Sequence, residues 1–236
     1  MANQIQQNNR KQDLTKNVIK DIVRVGAFLV LGIIILFFSA GRIDWIYGWI
    51  YTTLTVVLAL IGAKIVPPEV LAERGHKKEN VEKWDTIITT LIFVPWFGQY
   101  LVSGLDIRFG WSPELALPVH VIAIFIYIAG EALQMWSMKA NAYFSSAVRI
   151  QYDRGQMVSS GGPYRYIRHP GYVGMMIYYL VTPIILGSIW ALIPAGTIIL
   201  LLIIRTSLED QTLKDKLEGY KEYADKVKYR LIPGVW

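Results

Sequence analysis

The sequence has no cysteine and little charge. Not one of its 236 residues is cysteine, which excludes disulfides, thiolate metal sites and a cysteine nucleophile, and leaves the compartment open. Asp, Glu, Lys and Arg together make up 18% of the chain, against about 25% in soluble domains. A dinucleotide-binding fingerprint is missing as well. Gly161-Gly162 sits in no strand–helix unit and is not a GxGxxG motif, and the polar stretches 139–171 and 205–236 are each too short for a Rossmann domain. No internal repeat is present. The formal net charge of +6 would suit an anionic partner, but basic loops retained on the cytoplasmic face of a membrane account for it, so no nucleic-acid partner is expected.

What the sequence does have is hydrophobic residues, 53% of the total at a mean hydropathy of +0.35. They fall in long blocks, with the charges between the blocks. About 20 apolar residues suffice to cross the hydrocarbon core, and residues 22–40, 45–66, 86–104 and 115–138 meet that length. Pro67-Pro68 stops the second block, because proline cannot continue a helix. Residues 1–21 read as a polar, Asn/Gln-rich leader, disordered or fraying. They are not a signal peptide, since the apolar run that follows is too long for a signal core. Residues 69–85 read as a charged loop. The apolar stretch 172–204 is too long for one span and is interrupted by Pro183, Gly187 and Pro194. It reads as two short helices turning near Leu186-Gly187-Ser188, with both ends on one face. The expected fold is all-α and multi-pass: a leader (1–21), four spans (22–138), and a third region (139–236) holding the hairpin and a cytoplasmic helical tail.

Positive charge is distributed asymmetrically. Arg10, Lys11, Lys16 and Lys20 precede the first span; Lys64, Arg74, Lys77, Lys78 and Lys83 surround the 69–85 loop; Lys139, Arg149, Arg154, Arg165 and Arg168 follow the fourth span; and Arg205 opens a basic tail. Arg42 and Arg108 fall on the other side. A basic excess marks the cytoplasmic face, which puts both termini and the polar segments there, in what reads as a bacterial inner membrane. Tryptophans 45, 84, 111 and 190 fall near span ends, as in an aromatic belt.

Two polar segments are dense in reactive side chains: Gly161-Gly162-Pro163-Tyr164-Arg165-Tyr166-Ile167-Arg168-His169-Pro170-Gly171-Tyr172, and Arg205-Thr206-Ser207-Leu208-Glu209-Asp210 with the terminal Tyr229-Arg230-Leu231-Ile232-Pro233-Gly234-Val235-Trp236. A hairpin between them would bring Arg168 and His169 beside Glu209 and Asp210. Singly, each has an ordinary role: anchoring at the boundary, a structural histidine, solvated helix surface. Jointly, charges drawn together at an apolar boundary must be paired. Elsewhere, Glu131 is an intramembrane carboxyl that either joins the same site, with Gln134, or packs against a neighbouring polar group. His120 reads as structural, and residues 148–158 as a small hairpin.

The segment GPYRYIRHPGYVG, the hairpin, RTSLED, Gly219-Tyr220 to Tyr223 and RLIPGVW together resemble the isoprenylcysteine carboxyl methyltransferase family and the related membrane phospholipid methyltransferases. The resemblance is specific over 160–236, and Asn141–Ser145 also looks like bacterial members. It implies an S-adenosylmethionine-dependent methyltransferase acting on a lipophilic, membrane-embedded acceptor. The implied cofactor-binding residues are Gly162, Pro163, Tyr164, Arg168, His169, Pro170, Tyr172, Glu209 and Asp210, with Arg205 and Glu209 catalytic. The family's usual acidic pair is Glu-Glu, so Asp210 departs from it. Arg205 stands four residues before that pair, matching a family arginine that positions the acceptor. Methyl transfer from a sulfonium is a direct displacement that needs alignment and dryness and no metal. A carboxylate acceptor is already ionised at neutral pH. An amine acceptor, as in phospholipid N-methylation, would need a base, for which His169, Glu131 and Tyr172 are the candidates. A non-catalytic transporter or binding subunit is the reading from another class. It is disfavoured because transporters place their ionisable groups at midplane, whereas these cluster at one face.

Overall fold

The computed structural model describes residues 2–76 and 78–236, and no strand occurs among them. The helices are α1 (Ala2–Ala40), α2 (Ile46–Ile65), α3 (Pro68–Gly75), α4 (Lys83–Phe109), α5 (Leu117–Ala140), α6 (Pro170–Leu186), α7 (Leu192–Lys216) and α8 (Tyr220–Lys226). Five of them are long and apolar enough to cross a membrane: α1 from Lys11 on, α2, α4, α5 and α7. The shorter α6, also apolar, lies against α5 and α7. Phe38, Val94, Phe125 and Leu200 stand exposed on the outer surface of this bundle, which suits a wall that meets lipid rather than water.

The expected all-α, multi-pass architecture is the one observed, with four local differences. Residues 2–21 are not a separate disordered leader but the first part of α1. The cause is a docked partner. Asp21, 3% exposed, pairs with Arg24 and with Arg74 of α3, and a Cβ on Gly75 would fall 2.0 Å from the Asn17 carbonyl oxygen. The 69–85 loop contains α3 itself, which starts at Pro68, whose fixed φ suits a first helical turn. The second arm of the hairpin is not short. α7 runs 25 residues from Leu192 to Lys216, because Pro194 falls in its first turn, where a missing N–H costs nothing. The predicted turn is in place, with Gly187 closing α6 at φ 76°. The 148–158 stretch forms no strand pair. It makes a single turn at Tyr152–Arg154 ended by Gly155 at φ 58°.

The short connections 41–45, 110–116 and 187–191 share one end of the bundle. Asp106, 1% exposed, joins two of them by accepting from the Ser112 and Ser188 hydroxyls at 2.6 and 2.5 Å. His120 is structural, as read: its Nδ1 lies 3.0 Å from the Ile185 carbonyl oxygen, and its ring stacks on Tyr47. The most extensive helix pairing is α5 against α6. At this crossing a Cβ on Gly174 would lie 2.6 Å from the Gly130 carbonyl oxygen, and one on Gly130 2.9 Å from that of Gly174. Such close approach through small residues drives helix association in lipid. The larger polar segments gather at the opposite end: α3, residues 141–169, α8 and the C-terminal segment.

Candidate active site

The hairpin determines what meets what. α6 begins at Pro170, directly after Arg168 and His169, and α7 returns beside it, so residues 205–210 stand next to the Arg-His-Pro segment. Two backbone bonds secure the junction, Arg168 N–H to Tyr229 O and His169 N–H to Arg230 O, both 2.9 Å.

Asp210 is its hub. It is fully buried and accepts from Arg168 Nε at 2.6 Å and Nη2 at 2.9 Å, from Tyr220 Oη at 3.0 Å and from Arg230 Nε at 2.9 Å. His169 Nε2 lies 3.3 Å away and Lys214 Nζ 3.2 Å. The other nitrogen of the Arg168 fork, Nη1, donates to the Val227 and Lys228 carbonyls at 2.7 and 2.8 Å. Burial works against the Arg168 charge, but the bonds to Asp210 outweigh it and raise its pKa. Burial, reinforced by Asp210, raises the Tyr220 phenol well above its usual value, so Tyr220 stays a donor.

In front of this hub lies a cavity of about 300 Å³. Tyr164, His169, Tyr172, Arg205 and Glu209 line it, along with the Arg168 side chain, Tyr220, Tyr223, Gln134 and Met175. Residues 143–149 and 156–159 form its roof. Of the residues expected to bind cofactor, Gly162, Pro163, Pro170 and Asp210 do not line it. Gly162 takes a left-handed φ of 56° against Trp136 and Ala140, and Pro163 starts a turn that sets Tyr164. Pro170 opens α6. Asp210 stands behind Arg168 and His169. Arg168, expected to offer its fork to a ligand carboxylate, spends four of its five N–H groups on Asp210 and the backbone. Gln134 joins the site; Glu131 does not, its carboxylate lying 3.5 Å from Tyr127 Oη.

Arg205 and Glu209 stand one turn apart on α7 and both face the cavity. Tyr172 Oη donates to Glu209 Oε2 at 2.6 Å. The Arg205 guanidinium sits 5.5 Å over the Tyr172 ring and donates from Nε to Asp85 Oδ1 at 2.7 Å and from Nη2 to the Ser146 carbonyl at 3.1 Å. Sequence reading missed Asp85 and the buried pair Glu73–Arg149, at 3.2 Å, which braces the roof. The signal available for Asp85 was a carboxylate in the first turn of an apolar span, a place where an ionised group needs a partner.

Several apolar helices define an integral membrane protein, and a polar cavity lies at one end of the bundle, covered in part by the segment between α5 and α6. Residues 121–215 match the model of the isoprenylcysteine carboxyl methyltransferase (ICMT) family. They contain the Arg-His-Pro motif, Arg205 and the acidic pair. Two rice proteins, from Oryza sativa subsp. indica and subsp. japonica, each named a probable protein-S-isoprenylcysteine O-methyltransferase, are 28% identical over 117 residues, covering 46% of this chain. The chain spans 59% of the length of these relatives. The solved structure of the eukaryotic intramembrane Ras methyltransferase ICMT has the same fold. It superposes with a TM-score of 0.53 at 20% identity, over 89% of this chain and 75% of that one.

Proposed function

We propose that this protein is an S-adenosylmethionine-dependent methyltransferase that esterifies a carboxylate on a lipophilic acceptor held in the bilayer, with an isoprenylcysteine carboxylate as the acceptor class. S-Adenosylmethionine supplies an electrophilic methyl group on a sulfonium. The cavity suits such a donor. Tyr164, Tyr220 and Tyr223 offer aromatic surface for an adenine. Among the described residues Glu209 keeps one carboxylate oxygen without a partner, ready for an ammonium or a ribose hydroxyl, and His169 keeps its Nδ1. Glu209 thus serves the donor, and the roof covers part of the cavity, which strengthens polar contacts beneath it.

Arg205 holds the acceptor. Among the described residues its Nη1 makes no hydrogen bond, and a planar fork suits a carboxylate. A carboxylate arrives ionised, so its lone pair attacks without a base. Of the bases an amine would need, Tyr172 is donated to Glu209 and Glu131 lies outside the cavity, which leaves His169, whose Nε2 rests on Asp210 and Tyr220, as the single candidate. The observation that carries this reading is the placement of Arg205 and Glu209 one turn apart on a single cavity wall. The test is transfer of radiolabelled methyl from S-adenosylmethionine to S-farnesyl-N-acetylcysteine by purified protein. Base-labile label, released as methanol, supports the ester; base-stable label would move the reading to an amine acceptor, and absence of transfer would sink it. On this reading the site faces the cytoplasm, which the excess of Lys and Arg at the polar end supports.

A further inference from the structure

Arg205 and Glu209 are four residues apart on α7, the spacing at which a cation and a carboxylate on one helix ordinarily pair. Here they do not. Among the described residues no Arg205–Glu209 contact falls within salt-bridge distance; Arg205 pairs with Asp85 of α4 instead, and Glu209 accepts from Tyr172 of α6. Each neighbour on α7 is held by a different helix, so both keep polar atoms free toward the cavity.

We infer that Asp85 is a positioning residue, which turns Arg205 away from Glu209 and presents its Nη1 edge to the acceptor carboxylate; this rests on the reading that Arg205 holds the acceptor. Three observations support it. Asp85 is 1% exposed and has its two oxygens committed to different groups: Oδ1 takes Arg205 Nε at 2.7 Å, and Oδ2 takes the Val148 amide at 2.9 Å. The Val148 carbonyl in turn accepts from the Glu82 amide at 3.0 Å, so the carboxylate is anchored to the roof and to the start of α4 at once. The second Arg205 contact, Nη2 to Ser146 O, falls on the same roof segment. With Nε and one face of Nη2 fixed, and the guanidinium carbon 5.5 Å from the Tyr172 ring centroid, one edge of Arg205 remains, and that edge is Nη1. An anionic partner also offsets the charge of an arginine buried at an apolar boundary, where an unpaired one is costly. Without Asp85, the nearest carboxylate on its own helix is Glu209, and a pair between them would consume both reactive side chains.

The experiment uses the full chain in detergent with S-farnesyl-N-acetylcysteine as acceptor. Asp85→Asn and Asp85→Glu are each made alone and combined with Arg205→Lys. Acceptor KM, kcat and S-adenosylmethionine Kd are measured for each, with a thermal midpoint to register folding. The expected result is that Asp85→Asn raises the acceptor KM at least tenfold while the S-adenosylmethionine Kd moves less than threefold, and that adding it to Arg205→Lys worsens kcat/KM by less than twofold further. Non-additivity of this kind identifies residues acting as one unit. If Asp85→Asn fails to fold, the longer Asp85→Glu, which keeps the charge, carries the same test. A wild-type acceptor KM in the folded variant, or losses that multiply in the double variant, overturns the inference. Wild-type kinetics in Arg205→Lys alone would instead overturn the acceptor-holding role of Arg205, a separate result.

Discussion

Arg168 and Asp210 face each other as a buried two-point pair, Nε to Oδ1 at 2.6 Å and Nη2 to Oδ2 at 2.9 Å. The pair joins the entry of α6 to the middle of α7. Removing one charge from such a pair strands the other, at a cost of about 3–5 kcal/mol. Asp210→Asn should therefore lower the thermal midpoint sharply, and Arg168→Ala should do the same. A wild-type midpoint in both would mean that the junction does not depend on this pair.

Glu209 and His169 should behave differently. Each faces the cavity with an atom the protein does not use. His169→Ala and Glu209→Gln are expected to weaken S-adenosylmethionine binding by about 1–3 kcal/mol per lost charged hydrogen bond, with a thermal midpoint close to wild type. Calorimetry giving wild-type affinity for both would remove them from the donor's contacts.

Arg205→Lys keeps the charge but loses the planar fork. Turnover should fall at least tenfold, about 1.4 kcal/mol in transition-state terms, while affinity for the donor changes little. A matching loss of donor affinity would move Arg205 to the donor side of the cavity.

Lys78 gives the chain a pH signature. Its ammonium lies under the roof, donating to Ser146 Oγ at 2.9 Å and to the Arg74 carbonyl at 3.2 Å. Burial is the main cause that brings its pKa down from 10.5 to about 8. The group is protonated in both folded and unfolded chains below about 8. Above that the folded chain releases the proton first, and the unfolded chain holds it until about 10.4. Stability contributed by this group therefore rises across that window. The difference in thermal midpoint between wild type and Lys78→Met should grow in favour of wild type from pH 8 to pH 10. A difference that stays constant with pH would show that Lys78 titrates normally.

The proposed sidedness has its own test. Reporter fusions at residue 78 and at the C-terminus should both report cytoplasm, because both lie at the polar end of the bundle. An external signal from either would invert the assignment drawn from the lysines and arginines.

Much of this was legible in the sequence because bilayers impose a simple rule: a span must be long, apolar and helical. The blocks ending at Ala40, at Val66 and near Met138 follow it directly, and Gly187 marked its own turn. The Arg-His-Pro segment and the acidic pair could be placed together because a hairpin leaves few alternatives. What stayed hidden depends on contacts between distant residues. Asn17 lies in a polar stretch that looks unstructured until Gly75 of α3 packs against it. Asp85 reads as the end of a loop, 120 residues from Arg205 in the chain, and only folding shows them to be partners. Arg168 offered a fork to a ligand on paper; Asp210 and the tail carbonyls of Val227 and Lys228, which no local pattern announces, take up four of its five N–H groups.

The crossing of α5 and α6 at Gly130 and Gly174 leaves no room for even a methyl group on either side. Two backbones in such contact cannot slide along or swing past each other without first separating, so these helices act as a single post at this crossing. Any doorway through which a lipid tail enters, or a spent donor leaves, must therefore open at a different joint. The roof is such a joint: its fastenings to Asp85, Glu73 and Lys78 are hydrogen bonds and ion pairs, which can break and re-form one at a time while the post stands still.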